Sequence, residues 1–214
     1  MSRVTGLHHV TVIAGDPQRN LDFYTGTLGM RLVKMSVNQD ATDTYHLFYA
    51  DAEGHAGTDL TFFPWPKMAP GRRGIGLTNE VGLAVPTGSL DYWAERLRSA
   101  GVTVGEPTRR YGERALVFDD PHGLGLALVE TSDEREFTPW ADGPVPAERQ
   151  VRGLHGVRMA ERDLESTARF LVDGLGMERV GEEDGWHRFA TGRPGSGRVV
   201  DVQALPHAPP GSLK

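Results

Sequence analysis

The 214-residue chain has no cysteine. That excludes disulfide frameworks, thiolate zinc sites, iron–sulfur clusters and a cysteine nucleophile, so any metal centre must be built from His, Asp and Glu. Positive charge is not in excess either: Lys and Arg number 23 against 29 Asp and Glu, a net charge of −6. Such a chain suits neither nucleic acid nor an anionic membrane surface. No apolar run approaches the ~20 residues that span a bilayer, and the N-terminal MSRVTGLHHVTVIAGDPQ lacks a signal-peptide core. The expected address is the cytoplasm. HxH, HExxH and GxSxG are also missing, and GRPGSG at 192–197 lacks the Lys and following helix of a phosphate loop, so it reads as a hairpin turn. What remains is a globular composition, 38% hydrophobic and 24% charged, whose 27 Gly and 14 Pro suit many short strands and turns.

The chain repeats itself. Residues 6–33, GLHHVTVIAGDPQRNLDFYTGTLGMRLV, align without a gap on residues 153–180, GLHGVRMAERDLESTARFLVDGLGMERV. The identities include Gly6/Gly153, Leu7/Leu154, His8/His155, Asp16/Asp163, Phe23/Phe170 and the Leu-Gly-Met of 28–30 and 175–177. Matches so concentrated mark a duplicated structural unit.

In the first copy the pattern predicts a strand over Gly6–Ile13, then a helix with Asp16 as N-cap, Pro17 in its first turn and Gly29 as its stop. Strands are expected at Met30–Val37, Tyr45–Tyr49 and Leu60–Pro64, with a turn at Gly54–Gly57. A more diverged copy lies between the two. It reads as a strand at Glu80–Pro86, a helix at Ser89–Ser99 closed by Gly101, and strands at Val102–Val104, Ala115–Phe118 and Gly125–Glu130. The fold class expected is α+β, three tandem βαβββ modules over 1–67, 78–131 and 151–206. Residues 132–150 read as a linker and 207–214 as a linker-like tail. The first and third modules should superpose best.

GLHHVTV followed by a helix ending in LGM resembles the vicinal oxygen chelate superfamily of glyoxalases, extradiol ring-cleaving dioxygenases and drug-resistance binding proteins. Lys34–Pro66, KMSVNQDATDTYHLFYADAEGHAGTDLTFFPWP, resembles its hydroquinone-type ring-cleaving dioxygenase branch. The resemblance covers nearly the whole chain. It implies four βαβββ modules, the first and fourth building one site for Fe(II), sometimes Mn(II), held by two His and one Glu. It implies a small aromatic substrate and O₂ as partners, and metal-dependent ring cleavage of a hydroquinone or phenol.

Neighbouring strand residues face opposite ways, so at most one of His8 and His9 reaches a given site. His8 shares a face with Val10 and Val12, which reads as packed. His9 shares one with Thr11 and is the expected metal ligand, the position to which the family motif also assigns it. The resemblance places His8 and Thr11 in supporting, catalytic positions around it. Gly156 stands where the third module would carry this ligand. The family's carboxylate falls at Thr61, Ala127 and Asp201 in the three modules. Asp201 reads as a solvated edge-strand residue and Glu130 as solvated on the opposite face. His46, His55, His122, His187 and His207 are weaker candidates, any of which Asp59 could pair with.

The fourth module, which brings the second His and the Glu in the family, is not in the sequence. The expectation is that the 214 residues alone bind Fe(II) poorly and cleave no ring until that module is supplied. Module one would then expose a sheet face and an edge, favouring a homo-oligomer. Two other readings share the fold. One is a metal-free binding protein of the drug-sequestering type, with Phe62, Phe63 and Trp65 lining its pocket, although core packing is the more common use of such residues. The other is a glyoxalase-type isomerase, against which the missing carboxylates in modules one and two count.

Overall fold

The computed structural model describes residues 4–192 and 196–213. Its element order runs strand, helix and three strands, three times over. The first pass is β1 (His9–Ala14), α1 (Pro17–Leu21) continued by a π-type turn over Asp22–Thr27, β2 (Arg31–Val37), β3 (Tyr45–Ala50) and β4 (Asp59–Pro64). The second is β5 (Leu77–Pro86), α2 (Leu90–Ser99), β6 (Thr108–Arg110), β7 (Glu113–Asp119) and β8 (Gly125–Thr131). The third is β9 (Gly153–Glu161), α3 (Leu164–Arg169) continued over Phe170–Gly174, β10 (Glu178–Glu183), β11 (Trp186–Ala190) and β12 (Val199–Ala204). None of these helices is long and apolar enough to cross a membrane.

Local chemistry sets the ends of these elements. Asp16 caps α1, its carboxylate accepting from the Arg19 amide at 2.8 Å, and Pro17 follows it. Gly29 takes φ +66° at the helix stop, where a Cβ would also strike Val145 Cγ2 at 2.5 Å. Position 29 therefore requires glycine twice over. Asp163 caps α3 in the same manner.

The strands form two sheets. The first has order β1-β4-β3-β2, and among the described residues β1 pairs with β4 alone, in parallel. The second has eight strands, β10-β11-β12-β9-β5-β8-β7-β6, joined through the antiparallel pair β5–β9. Val10, Val12, Leu60, Phe62, Leu47 and Tyr49 turn one face of the first sheet onto Phe23, Tyr24 and Leu28. The opposite face is open.

The second strand expected in the second copy is displaced. Val102–Val104 is a loop packed on the core, and β6 begins at Thr108. Gly101, at φ +77°, and the Val102 amide bonded to the Leu97 carbonyl still belong to the helix stop, so the chain reaches its partner strand later. Residues 132–150 strap the two sheets together. Arg135 donates to the carbonyls of Gly57 and Leu154, at 2.8 Å each, and Thr138 bonds to Asp51. The tail folds back as well: Arg72 and Ser212 exchange backbone hydrogen bonds, and Ile75 bridges Pro210. Part of the expected 192–197 hairpin turn, residues 193–195, lies outside the described residues.

Candidate functional site

The open face of the first sheet is built by register. His9 lies opposite Asp59, Thr11 opposite Thr61 and Ile13 opposite Phe63. Thr61 lies opposite Phe48, and Phe48 opposite Lys34. Side chains alternate along each strand, so His9, Thr11, Asp59, Thr61, Phe63, Phe48, His46 and Lys34 share one face. This is the separation expected from the sequence, with Val10 and Val12 in the core behind.

His9 is exposed, and its Nδ1 lies 3.0 Å from Nδ1 of His8, one nitrogen donating and the other accepting. Its Nε2 has no partner among the described residues. Asp59 beside it is half-buried, and its Oδ1 has no hydrogen bond. Burial raises the Asp59 pKa, while His9 and His8 pull it back. His8 is not packed against the helix as its parity suggested. It precedes the first paired residue of β1, so strict alternation does not bind it, and it is exposed. Of the weaker candidates, His55 is held by Asp51, Nδ1 to Oδ2 at 2.6 Å.

Thr61 and His46 add a hydrogen-bonded row to this face. Thr61 Oγ1 donates to Thr11 Oγ1 at 2.9 Å and lies 3.1 Å from His46 Nε2. The His46 ring centroid is 3.9 Å from that of Phe48 and 4.1 Å from that of Phe63. Burial, then Lys34 and His9, hold the His46 imidazole below the ordinary histidine range. The alternation of Tyr45-His46-Leu47-Phe48 against Leu60-Thr61-Phe62-Phe63 carried the signal that His46 belongs here, but the register between the strands was needed to use it. Of the three aromatics weighed as pocket lining, Phe62 is fully buried core, while Phe63 and Trp65 are only partly buried.

The corresponding face of the eight-stranded sheet is filled. Gly156 stands at the position of His9, and a Cβ there would meet Val199 Cγ2 at 2.5 Å and the Val199 carbonyl oxygen at 2.8 Å. Asp201 is neither solvated nor a free ligand. It lies on β12, between β11 and β9, is 3% exposed, and is paired with Arg188 and Arg158. Arg188 also reaches Glu113, which bonds His155 at 2.9 Å. A cavity of about 20 Å³ remains among these groups, space for roughly one water. Glu130 is likewise not solvated: it is 8% exposed, accepts from the Leu90 amide at the start of α2 and pairs with Arg114.

Among the described residues no group of three or more His, Asp or Glu side chains is arranged so that it could hold a metal ion. These residues therefore do not form a complete metal centre. The open face supplies one imidazole, His9, whose Nε2 has no partner among the described residues; the adjacent Asp59 Oδ1 is buried and has no hydrogen bond.

Comparisons place this geometry among known proteins. Residues 6–128 match the model of the Glyoxalase/Bleomycin resistance protein/Dioxygenase superfamily. The chain is 41% identical over 206 residues to MhqE of Bacillus subtilis, a protein provisionally named a ring-cleaving dioxygenase, covering 95% of this chain and 66% of that one. It is 35% identical over 203 residues to the chlorohydroquinone/hydroquinone 1,2-dioxygenase of Sphingobium indicum, covering 94% and 63%. The crystal structure of a Bacillus subtilis protein provisionally identified as a dioxygenase superposes with a TM-score of 0.92 at 37% identity, over 100% of this chain and 67% of that one. Maize glyoxalase I shares the fold at 18% identity, with a TM-score of 0.72 over 97% of this chain and 71% of that one. The chain thus spans about two-thirds of the length of these dioxygenase relatives.

Proposed function

The chain belongs to the Glyoxalase/Bleomycin resistance protein/Dioxygenase superfamily, and from that premise we propose that it is the larger part of a ring-cleaving dioxygenase acting on a hydroquinone-type phenol. The observation that carries the reading is His9 beside Thr11 on an open sheet face, with Nε2 unengaged and an aromatic wall behind. Similarity to a named hydroquinone dioxygenase supports the substrate class.

His9 is the ligand this chain contributes to iron. His8 orients it: the Nδ1–Nδ1 hydrogen bond fixes the ring and leaves Nε2 without a partner among the described residues. Bound iron would supply the electron transfer that lets O₂ attack an aromatic ring. Phe48, Phe63 and Trp65 offer the ring an apolar wall, and Lys34, over the Phe48 ring at 5.1 Å, gives the rim a positive charge suited to a phenolate. The remaining metal donors come from outside the residues gathered here.

The test is anaerobic Fe(II) loading followed by O₂ uptake with hydroquinone. It is run on the 214-residue chain alone and with the unmatched third of MhqE supplied in trans. Iron-dependent uptake in the supplemented sample, absent in His9→Ala, is the expected result. An aromatic ligand bound tightly with no iron in either sample would favour the metal-free binding reading, which the aromatic wall and the incomplete donor set also fit.

A further inference from the structure

We propose that His46 is a positioning residue which, through Thr61, fixes the Thr11 hydroxyl as a hydrogen-bond donor toward a phenolate oxygen bound beside His9. The inference rests on the ring-cleaving reading for its purpose, but its geometry stands apart from any metal.

Each threonine hydroxyl has one hydrogen to give. Thr61 gives its hydrogen to Thr11, at 2.9 Å. The 3.1 Å contact between Thr61 Oγ1 and His46 Nε2 must then be a donation from the imidazole. His46 is thereby assigned the Nε2–H tautomer. Thr11 Oγ1 is already accepting, so its own hydrogen is free to turn out of the sheet. Thr11 is exposed, two residues along the strand from His9 on the same face. An oxygen seated beside His9 meets a donor.

Were His46 protonated at Nδ1 alone, Nε2 would accept from Thr61. Thr61 would then accept from Thr11, and Thr11 would face the ligand as an acceptor, which suits a neutral phenol rather than a phenolate. Phe48 and Phe63 packed on the ring hold the imidazole in place. Burial first, with Lys34 and His9, keeps it neutral, with a single N–H to donate.

Two measurements on the metal-free 214-residue chain test this. Long-range ¹H–¹⁵N correlation spectra of ¹⁵N-histidine protein, with His46 identified from the His46→Gln spectrum, should show the neutral Nε2–H pattern. The Nδ1–H or charged pattern at neutral pH would overturn the proposal. The second measurement is a 4-nitrophenol titration followed through its phenolate absorbance. The bound dye should favour the phenolate over the neutral form by roughly tenfold or more in wild type, the scale of a hydrogen bond to a charged oxygen. Thr11→Val and His46→Leu should lose that preference, and His46→Gln, whose amide can still donate to Thr61, should keep it. Equal preference in wild type and Thr11→Val, absence of binding included, would overturn the role given to Thr11. Failure of iron loading or of ring cleavage would count against the proposed function and leave both readouts untouched.

Discussion

Arg188 and Asp201 face each other across the β11–β12 ladder, and the guanidinium meets the carboxylate twice, Nε to Oδ1 at 2.8 Å and Nη2 to Oδ2 at 3.0 Å. Both side chains are at least nine-tenths buried. They occupy the face that in the first sheet is left open around His9, and they are packed shut with Arg158, Glu113 and His155. One repeat of the chain thus uses this face for a closed ionic core, and another leaves it open.

That core should tolerate replacement as a unit better than damage to one partner. Asp201→Ala takes the shared carboxylate from Arg158 and leaves Arg188 only Glu113, and is expected to cost about 3–5 kcal/mol in urea unfolding. The double change Arg188→Met, Asp201→Leu should cost clearly less. A fall in stability of under about 1 kcal/mol for Asp201→Ala would show that the carboxylate is not a true partner.

In the metal-loaded form, His9→Ala should abolish iron binding, while His8→Ala should weaken it by about 10–100-fold, the usual range when a residue that only orients a ligand is lost. Metal analysis after anaerobic gel filtration measures both. Equal loss in the two variants would remove the distinction drawn between them.

Gly156 should not accept even one methyl group. With Val199 Cγ2 at 2.5 Å and the Val199 carbonyl at 2.8 Å from the position of a Cβ, Gly156→Ala should destabilise the chain by about 1–3 kcal/mol. Adding Val199→Ala should restore only part of this, because the carbonyl remains. Thermal unfolding of the wild type and the two variants decides the matter.

Acid should release the strap between the sheets. The Asp51 carboxylate accepts from the amides of Glu53, Gly54, His55 and Thr138 and from the His55 ring. Burial pushes its pKa up, but the bonds from His55, Thr138 and Gly54 outweigh burial and hold it below the ordinary 3.8. A lowered carboxylate stabilises the fold above its unfolded pKa, and that contribution is lost as pH falls through the lowered value. The hydrogen bond that His55 donates to Asp51 raises its imidazole above the ordinary 6.5, with burial acting against it. Its contribution is complete below 6.5 and is lost as pH rises through the raised value. The stability gap between wild type and Asp51→Asn should therefore be widest from about pH 4 to about pH 6.5 and narrow on either side. Urea midpoints across that range give the curve, and a gap independent of pH would be inconsistent with it.

Repetition and alternation were open to reading in the sequence alone, because they depend on local rules. The HHVTV strand, the Asp16-Pro17 helix start and the Leu-Gly-Met stops follow from backbone geometry that each segment carries within itself. Side-chain period then separates His9 and Thr11 from Val10 and Val12 without reference to any other part of the chain. What the sequence could not supply was register. Thr61 and His46 join Thr11 only because β4 lies parallel to β1 and β3 antiparallel to β4, pairings between residues up to about fifty positions apart. The same limit hid Asp201 and Glu130. As lone carboxylates on their strands they read as solvated, and only the approach of Arg188 and Arg158 from neighbouring strands, and of the α2 N-terminus and Arg114, compensates their burial. The destination of residues 132–150 was equally non-local. Their polar, proline-containing composition fits a linker, yet Arg135 and Thr138 find backbone and carboxylate partners that the folded sheets alone present.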